Sequence, residues 1–538
     1  MPGSSFREAP APAQPELVTR LLDGGVLGPG PVELRETHGS WVFLTADRAF
    51  KVKKPVVLPF LDYGSLERRR RMCLLEVDVN RRGAPGTYVG VRAIVGTPDG
   101  FALAAPDAPE AVEYAVEMRR FPEEATLAAR LVRDEVTRAD AARVGEALAA
   151  FHARCARVWT GLGAEPVKRT IDDNFASLLT LLAGDREACA RLVAGERFAD
   201  AFLGSRLELL DARAAAGLIR DGHGDLRAEH IVLGEGIEIV DAIEFDASLR
   251  RIDVGLDVAF LVMDLESARR GDLGRAMLQA YRAAGGDPGD PELIAFFAAY
   301  RAQVRAKVSL FRASQLRPGS DESGAAIRRA RELLVVADAF AWRARGPLVL
   351  AIAGASASGK TTLATALSVA SDLPRLSSDV IRKQLAGLAP TERAPDAVYA
   401  PASGLATYRE LGRLARDAAG GAIVDATFRR RRERDAFRAG LGTRAEDAVY
   451  VECRVPDEVR AARAAARLAD PARVSDATPA IARRQVQEFE ALDEVSAAAH
   501  VTLRADRPLE CLVADVAEAL DRRSSAAAAH TAAPTVPE

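Results

Sequence analysis

At 538 residues the chain is longer than one ordinary domain, so two or three domains of about 100–200 residues each are expected. With 49% apolar and 28% charged residues it has the material for large cores, which excludes a mostly disordered or collagen-like polymer. A net charge of −3 without a basic tail speaks against nucleic acid as a partner, and no apolar run reaches the roughly 18 residues of a membrane span.

Residues 1–14, rich in Pro, Ala and Ser, read as a disordered tail without the apolar core of a signal peptide. From 15 to about 122 a small mixed lobe is expected, with β-runs at Trp41–Leu44, Ala49–Val52 and Tyr114–Met118 around a helix from about Leu66 to Arg82. That helix places Met72, Leu75 and Val79 on one side, with Glu76 nearby. Segments 123–218 and 255–315 read as helical and enclose a β-rich patch at 231–245, which makes a helical lobe ending at 315. Residues 316–346 hold a Gly/Pro/Ser-rich turn and then a charged amphipathic helix, the expected linker between domains. From 347 to 522, β-runs at 347–353, 421–425, 449–453 and 500–504 alternate with helices, as βαβ units around a parallel sheet do. Residues 523–538 read as a second disordered tail.

The clearest motif is Gly354-Ala355-Ser356-Ala357-Ser358-Gly359-Lys360-Thr361-Thr362, between an apolar strand and an amphipathic helix: the G-x-x-x-x-G-K-[ST] P-loop in its proper setting. Its glycines let the backbone N–H groups converge on phosphate oxygens and the helix N-terminus adds its dipole. Lys360 then reaches the β- and γ-phosphates and Thr361 binds magnesium. Asp425, ending the run Ala422-Ile423-Val424, stands where a second magnesium carboxylate is needed. Ser378-Asp379 opens a helix after another strand, so Asp379 is either an N-terminal cap or the base for an acceptor hydroxyl. Arg382 and Lys383 follow it as cations for an anionic acceptor, and Arg429–Arg432 form a further basic cluster.

The region from about 347 to 520 resembles the small P-loop kinases related to zeta toxins, polynucleotide 5′-hydroxyl kinases and gluconate kinases. The resemblance rests on the P-loop, Ser378-Asp379 with Arg382, Asp425-Ala426-Thr427-Phe428 and an arginine-bearing lid-like segment. It implies that Asp379 handles the acceptor hydroxyl and that Arg463 or Arg467, four apart on a helix, reaches the nucleotide.

Upstream, His223-Gly224-Asp225-Leu226-Arg227-Ala228-Glu229-His230 and then Ile239-Val240-Asp241 resemble the catalytic loop and metal-binding aspartate of aminoglycoside and choline phosphotransferases. The resemblance implies Asp225 as hydroxyl base and Asp241 as metal ligand. His230 stands where that family keeps a metal-binding asparagine, and imidazole is a poor partner for magnesium. Lys51 and Lys53 alternate onto one strand face, so either could hold nucleotide; Lys51 is preferred, with Glu76 as its ion-pair partner.

Five cysteines, at 73, 155, 189, 453 and 511, form no C-x-x-C pair, which fits a reducing cytoplasm better than a disulfide framework or zinc site. Only seven lysines stand against 66 arginines. GC-rich coding explains the bias, yet a compact ammonium is not replaceable by guanidinium at a phosphate site, which draws attention to Lys51, Lys53, Lys360 and Lys383. The expected fold is α/β and α+β: an N-terminal bilobal protein-kinase-like domain followed by a C-terminal P-loop NTPase with a parallel sheet. The whole arrangement resembles bacterial proteins described as bifunctional aminoglycoside phosphotransferase and ATP-binding proteins. It implies a tandem kinase using ATP and Mg2+ on a small-molecule or nucleotide acceptor; the alternative is a regulatory ATPase whose first domain is catalytically impaired.

Overall fold

The computed structural model describes residues 14–531 except 24, 38, 59–60, 99, 160–162, 390–391, 393–394, 396–399, 419 and 469–478. The chain divides into two compact units, Met1–Gly163 with Asp211–Gly289, and Ala164–Leu210 with Asp290–Glu538.

The first unit is built on a six-stranded antiparallel sheet in the order Glu33–Glu36, Ser40–Leu44, Arg48–Lys53, Ala111–Arg119, Tyr88–Thr97, Gly100–Ala104. Strand periodicity separates the two faces of Arg48–Lys53. Phe50 and Val52 pack with Leu17, Leu21, Phe43 and Ile94, each such burial being worth about 1.5–3 kcal/mol. Lys51 and Lys53 point the other way, to Glu76 on the helix Leu66–Arg81. Ser65 starts this helix by accepting the Arg68 N–H.

The buried face of that helix differs from the expected one. Arg69, Cys73, Glu76, Val77, Val79 and Asn80 turn inward, while Met72 and Leu75 are only partly covered. Polar residues win the inside because each finds a partner there: Arg69 pairs with Glu113, and Asn80 Oδ1 accepts the Ala242 N–H at 2.7 Å. The β-rich patch is the antiparallel pair Ile231–Leu233 and Ile237–Ile239, which brings the segments before and after it side by side.

The second unit holds a five-stranded parallel sheet in the order Arg375–Ser377, Gly421–Asp425, Leu348–Ala353, Ala448–Arg454, His500–Arg504. All six residues of Leu348–Ala353 are buried, as expected of a central parallel strand covered on both faces. One face packs on Leu363, Ala364 and Leu367 of the helix Lys360–Ser371; the other packs on Tyr408, Leu411 and Phe437.

Two features differ from the expected boundaries. The helices Ala164–Leu181 and Pro291–Gln315, placed by sequence in the first domain, pack with the second compact unit. Within that unit, Phe296 of Pro291–Gln315 stacks on Phe202 at 4.2 Å, and Arg345, which ion-pairs with Asp521, lies over Phe198. The helix Leu509–Thr531 also continues into the segment expected to be a disordered tail, because its Ala526–Ala529 run has the highest helix propensity available. The other expected tail, 1–14, lies outside the described residues save Gln14. No helix among the described residues is long and apolar enough to cross a membrane.

Candidate active sites

In the first unit, strand, helix and loop meet at a chain of alternating charges. Lys51 Nζ lies 2.8 Å from Glu76 Oε1 and 2.9 Å from Asp241 Oδ1. Lys53 Nζ lies 2.7 Å from Glu76 Oε2 and 2.5 Å from Glu244 Oε1, with the Tyr63 hydroxyl also in reach. Glu76 therefore bridges both lysines. The two differ in exposure: Lys53 is wholly enclosed, whereas Lys51 keeps 17% of its side chain open beside half-exposed Asp241. Burial alone would depress the Lys51 ammonium, but Asp241 and Glu76 outweigh it and hold it well above its ordinary value. Reciprocally, Lys51 holds Asp241 well below the usual carboxylate range.

The His-Gly-Asp loop is fixed from beneath by buried Asp257, which accepts the N–H groups of His223 and Gly224 and the His152 ring nitrogen Nε2. Burial pushes this carboxyl up, the His152 bond and these N–H donors outweigh it, and it settles at about 2. Gly224 has φ +86°, and a Cβ there would lie 2.8 Å from the Leu249 carbonyl oxygen, so only glycine allows the turn. Asp225 is partly exposed above this support. His223 donates from Nε2 to the Val240 carbonyl and accepts the Asp225 N–H on Nδ1; burial lowers its basicity and it is held neutral. His230 lies between the two aspartates, 3.9 Å from Asp225 Oδ2 and 3.7 Å from Asp241 Oδ2. Lys51, Glu76, Asp225, His230 and Asp241 are thus brought to one place. Lys53, Glu244 and Asp257 complete it.

In the second unit the P-loop runs from the end of Leu348–Ala353 to the start of Lys360–Ser371. Gly354, Ala357 and Gly359 all have positive φ, which turns successive peptide groups inward. A Cβ on Gly354 would lie 2.7 Å from the Cys453 carbonyl oxygen and 2.8 Å from Ser358 Oγ, so this close passage requires glycine. Ser358 Oγ is buried without a hydrogen-bond partner among the described residues. Lys360 folds back to donate to the Ala355 carbonyl at 2.7 Å, and Thr361 and Thr362 lie exposed at the loop's mouth. Parallel register sets Asp425 beside Ile352 on one side and Ser377 on the other, at the carboxyl edge where ligands of such sheets sit.

Around this loop some expected residues assemble and others do not. Arg463 donates to the Ala505 carbonyl at 3.0 Å, with its guanidinium 3.2 Å from where a Gly359 Cβ would be. The Arg467 side chain lies outside the described residues. Asp379 makes no helix cap; its carboxylate accepts from Arg382 at 2.8 Å. Lys383 is corrected as an acceptor-facing cation: only 1% exposed, its side chain is enclosed within the unit, whereas Asp379 and Arg382 reach the surface. Arg429 and Arg430 converge on Glu488, and Arg434 is buried against Glu494, so the basic cluster is largely structural. Two residues near the loop carried no sequence signal. Arg375 lies 3.2 Å from Asp425, and Gln485, on the helix Pro479–Gln487, accepts the Ser356 N–H of the P-loop at 2.8 Å.

Residues 349–492 match the family described as AAA domain. Among solved structures, a choline/ethanolamine kinase family protein from Mesorhizobium loti covers 57% of this chain and 92% of its own, at 15% identity and TM-score 0.32. A gluconokinase from Sinorhizobium meliloti covers 35% of this chain and 98% of its own, at 18% identity and TM-score 0.26. Uncharacterized proteins of Mycobacterium tuberculosis (Rv2004c) and Mycobacterium bovis (Mb2027c) are each 32% identical over 468 residues, covering 84% of this chain and 89% of theirs. The chain belongs to the same family as these mycobacterial proteins, and its P-loop lies within the segment that matches the AAA domain.

Proposed function

We propose that the chain is an ATP-dependent tandem phosphotransferase that moves the γ-phosphoryl group to a hydroxyl of a small molecule or nucleotide, acting in the cytoplasm. The observation that carries this reading is the P-loop itself: residues at positive φ curl the loop around a buried Ser358 hydroxyl that has no hydrogen-bond partner among the described residues, which leaves capacity for an anion oxygen. The amides of the loop and the helix start at Lys360 receive the phosphates, and Lys360 exchanges its bond to the Ala355 carbonyl for phosphate oxygens. Thr361 and Asp425 offer two oxygen donors, the chemistry magnesium prefers, and would hold it there. When bound, the cation withdraws charge from the phosphate oxygens. Asp379 takes the proton of the acceptor hydroxyl, and Arg382, beside it, faces an anionic acceptor. In the first unit Lys51, oriented by Glu76, receives nucleotide phosphates, Asp225 serves as base, and Asp241 with His230 holds the metal.

The test is transfer from labelled ATP into a cell metabolite extract, run with wild type, Lys360→Ala and Asp225→Ala. A labelled acceptor that disappears with Lys360→Ala, together with ATP turnover that survives Asp225→Ala, is the expected result; turnover with no labelled acceptor sinks it. A regulatory ATPase is the second reading, favoured by the Asp379–Arg382 pair, which occupies the proposed base, and by imidazole at the metal position. It predicts that Asp379→Asn leaves hydrolysis unchanged and independent of added acceptor.

A further inference from the structure

His230 is arranged as a metal ligand of a different kind from any in the second site. Its Nδ1 lies 2.7 Å from the Asp225 backbone oxygen. A carbonyl only accepts, so Nδ1 carries a proton, and in the neutral ring the lone pair is then on Nε2. The ring is further held by stacking on His223, centroids 5.6 Å apart and planes 23° from parallel. This second-sphere bond, which fixes tautomer and orientation, is the arrangement that accompanies metal-bound imidazole.

His230 Nε2 lies 3.7 Å from Asp241 Oδ2 and 3.8 Å from Glu229 Oε1, the second already paired with the Arg227 guanidinium. The separation from Asp241 is too long for a hydrogen bond and leaves space for a cation between nitrogen and carboxylate. The gap to Asp241 suits one: arms of about 2.0–2.2 Å to nitrogen and oxygen span it. Asp241 Oδ1 is engaged by Lys51, which leaves Oδ2 for that role. No group of three His, Cys, Asp or Glu side chains that could hold a metal occurs among the described residues, so the rest of the coordination shell has to come from nucleotide phosphate and water.

We propose that the first unit binds its nucleotide with a first-row transition cation of the Mn2+ class in preference to Mg2+, through His230 Nε2 and Asp241 Oδ2, while the all-oxygen pair Thr361 and Asp425 keeps the second unit selective for Mg2+. The physical cause is ligand type: a nitrogen donor favours the transition ions over magnesium, which loses hydration reluctantly and takes oxygen. The inference rests on the first unit being a nucleotide site.

The experiment uses the full chain carrying Lys360→Ala, to weaken the P-loop site, with a non-hydrolysable ATP analogue. Binding is measured by calorimetry with Mn2+ and with Mg2+, and the bound Mn2+ is examined by pulsed electron paramagnetic resonance for coupling to an imidazole nitrogen. The expected result is nitrogen coupling, together with analogue binding about tenfold or more tighter with Mn2+ than with Mg2+. In the His230→Asn chain the coupling is lost and the ratio falls to about threefold or less. Analogue binding with Mn2+ but without nitrogen coupling overturns the inference and leaves the nucleotide site standing. Failure to bind the analogue with either metal removes the nucleotide reading of the first unit, and the inference with it.

Discussion

The two candidate sites are built in opposite ways. In the second unit the candidate binding groups are mostly backbone amides in one nine-residue stretch, shaped by residues at positive φ between a strand and a helix. In the first unit they are side chains from one strand, one helix and two loop segments, held by an ion network that runs from Glu244 through Lys53, Glu76 and Lys51 to Asp241. A cradle made of backbone is local and tolerates change elsewhere; a cradle made of paired charges is only as good as every partner in it. Breaking a buried pair strands a charge in a medium that solvates it poorly, whereas losing one surface pair costs little.

That contrast can be broken most forcefully at Glu76. Replacing it with Gln leaves Lys51 and Lys53 to one carboxylate each, and the first unit is expected to lose about 3 kcal/mol of stability, read as faster amide hydrogen exchange in Arg48–Lys53 and Leu66–Arg81. The second unit should be untouched in the same measurement; equal loss in both would refute the independence of the two networks.

Lys360→Ala tests the backbone cradle. The loop's shape does not depend on that side chain, so exchange protection should stay, while phosphate transfer falls about 10²- to 10³-fold through lost charge stabilisation. A smaller effect follows from Asp379→Asn. If Asp379 is the acceptor base, transfer to acceptor drops about 10²-fold and hydrolysis of ATP persists, seen by assaying the two products separately.

The smallest effect is a pH dependence confined to the first unit. His223 is buried and its folded-state basicity is lowered by that burial. As pH falls below its unfolded value of about 6.5, the unfolded chain takes up a proton that the folded chain refuses, so stability declines by at most about 1.4 kcal/mol per pH unit from this group. Stability should level off again below the lowered folded value as far as His223 is concerned. His223→Gln should flatten the decline in a series of unfolding measurements between pH 7 and 5.

Reading the sequence succeeded where chemistry is contiguous. The P-loop, the strands bearing Lys51 and Asp425, and the five parallel strands follow from local patterns, because a strand's periodicity and a phosphate loop's glycines are properties of neighbouring residues, and the His223–Asp225 loop follows from a contiguous resemblance. It failed where the deciding partner is distant. Helix Leu66–Arg81 was expected to turn Met72 and Leu75 inward on hydrophobicity alone, but Glu113, Ala242 and the two lysines supply partners that draw Arg69, Asn80 and Glu76 inside. Lys383 is expected to face the acceptor because it lies one helical turn from Asp379, yet packing within the unit leaves it 1% exposed while Asp379 and Arg382 reach the surface, and sequence does not show that burial. Gln485 lies 129 residues beyond Ser356, a separation no motif spans.

By itself the sequence determined where the P-loop and the His223-Gly224-Asp225 segment stand, because the residues of each are neighbours along the chain. Only the tertiary structure decided that Lys51 is more exposed than Lys53, that Glu76 pairs with both, and that His230 Nε2 comes within 3.7 Å of Asp241 Oδ2. Those outcomes depend on which groups burial leaves to face one another, and burial is a property of the folded whole.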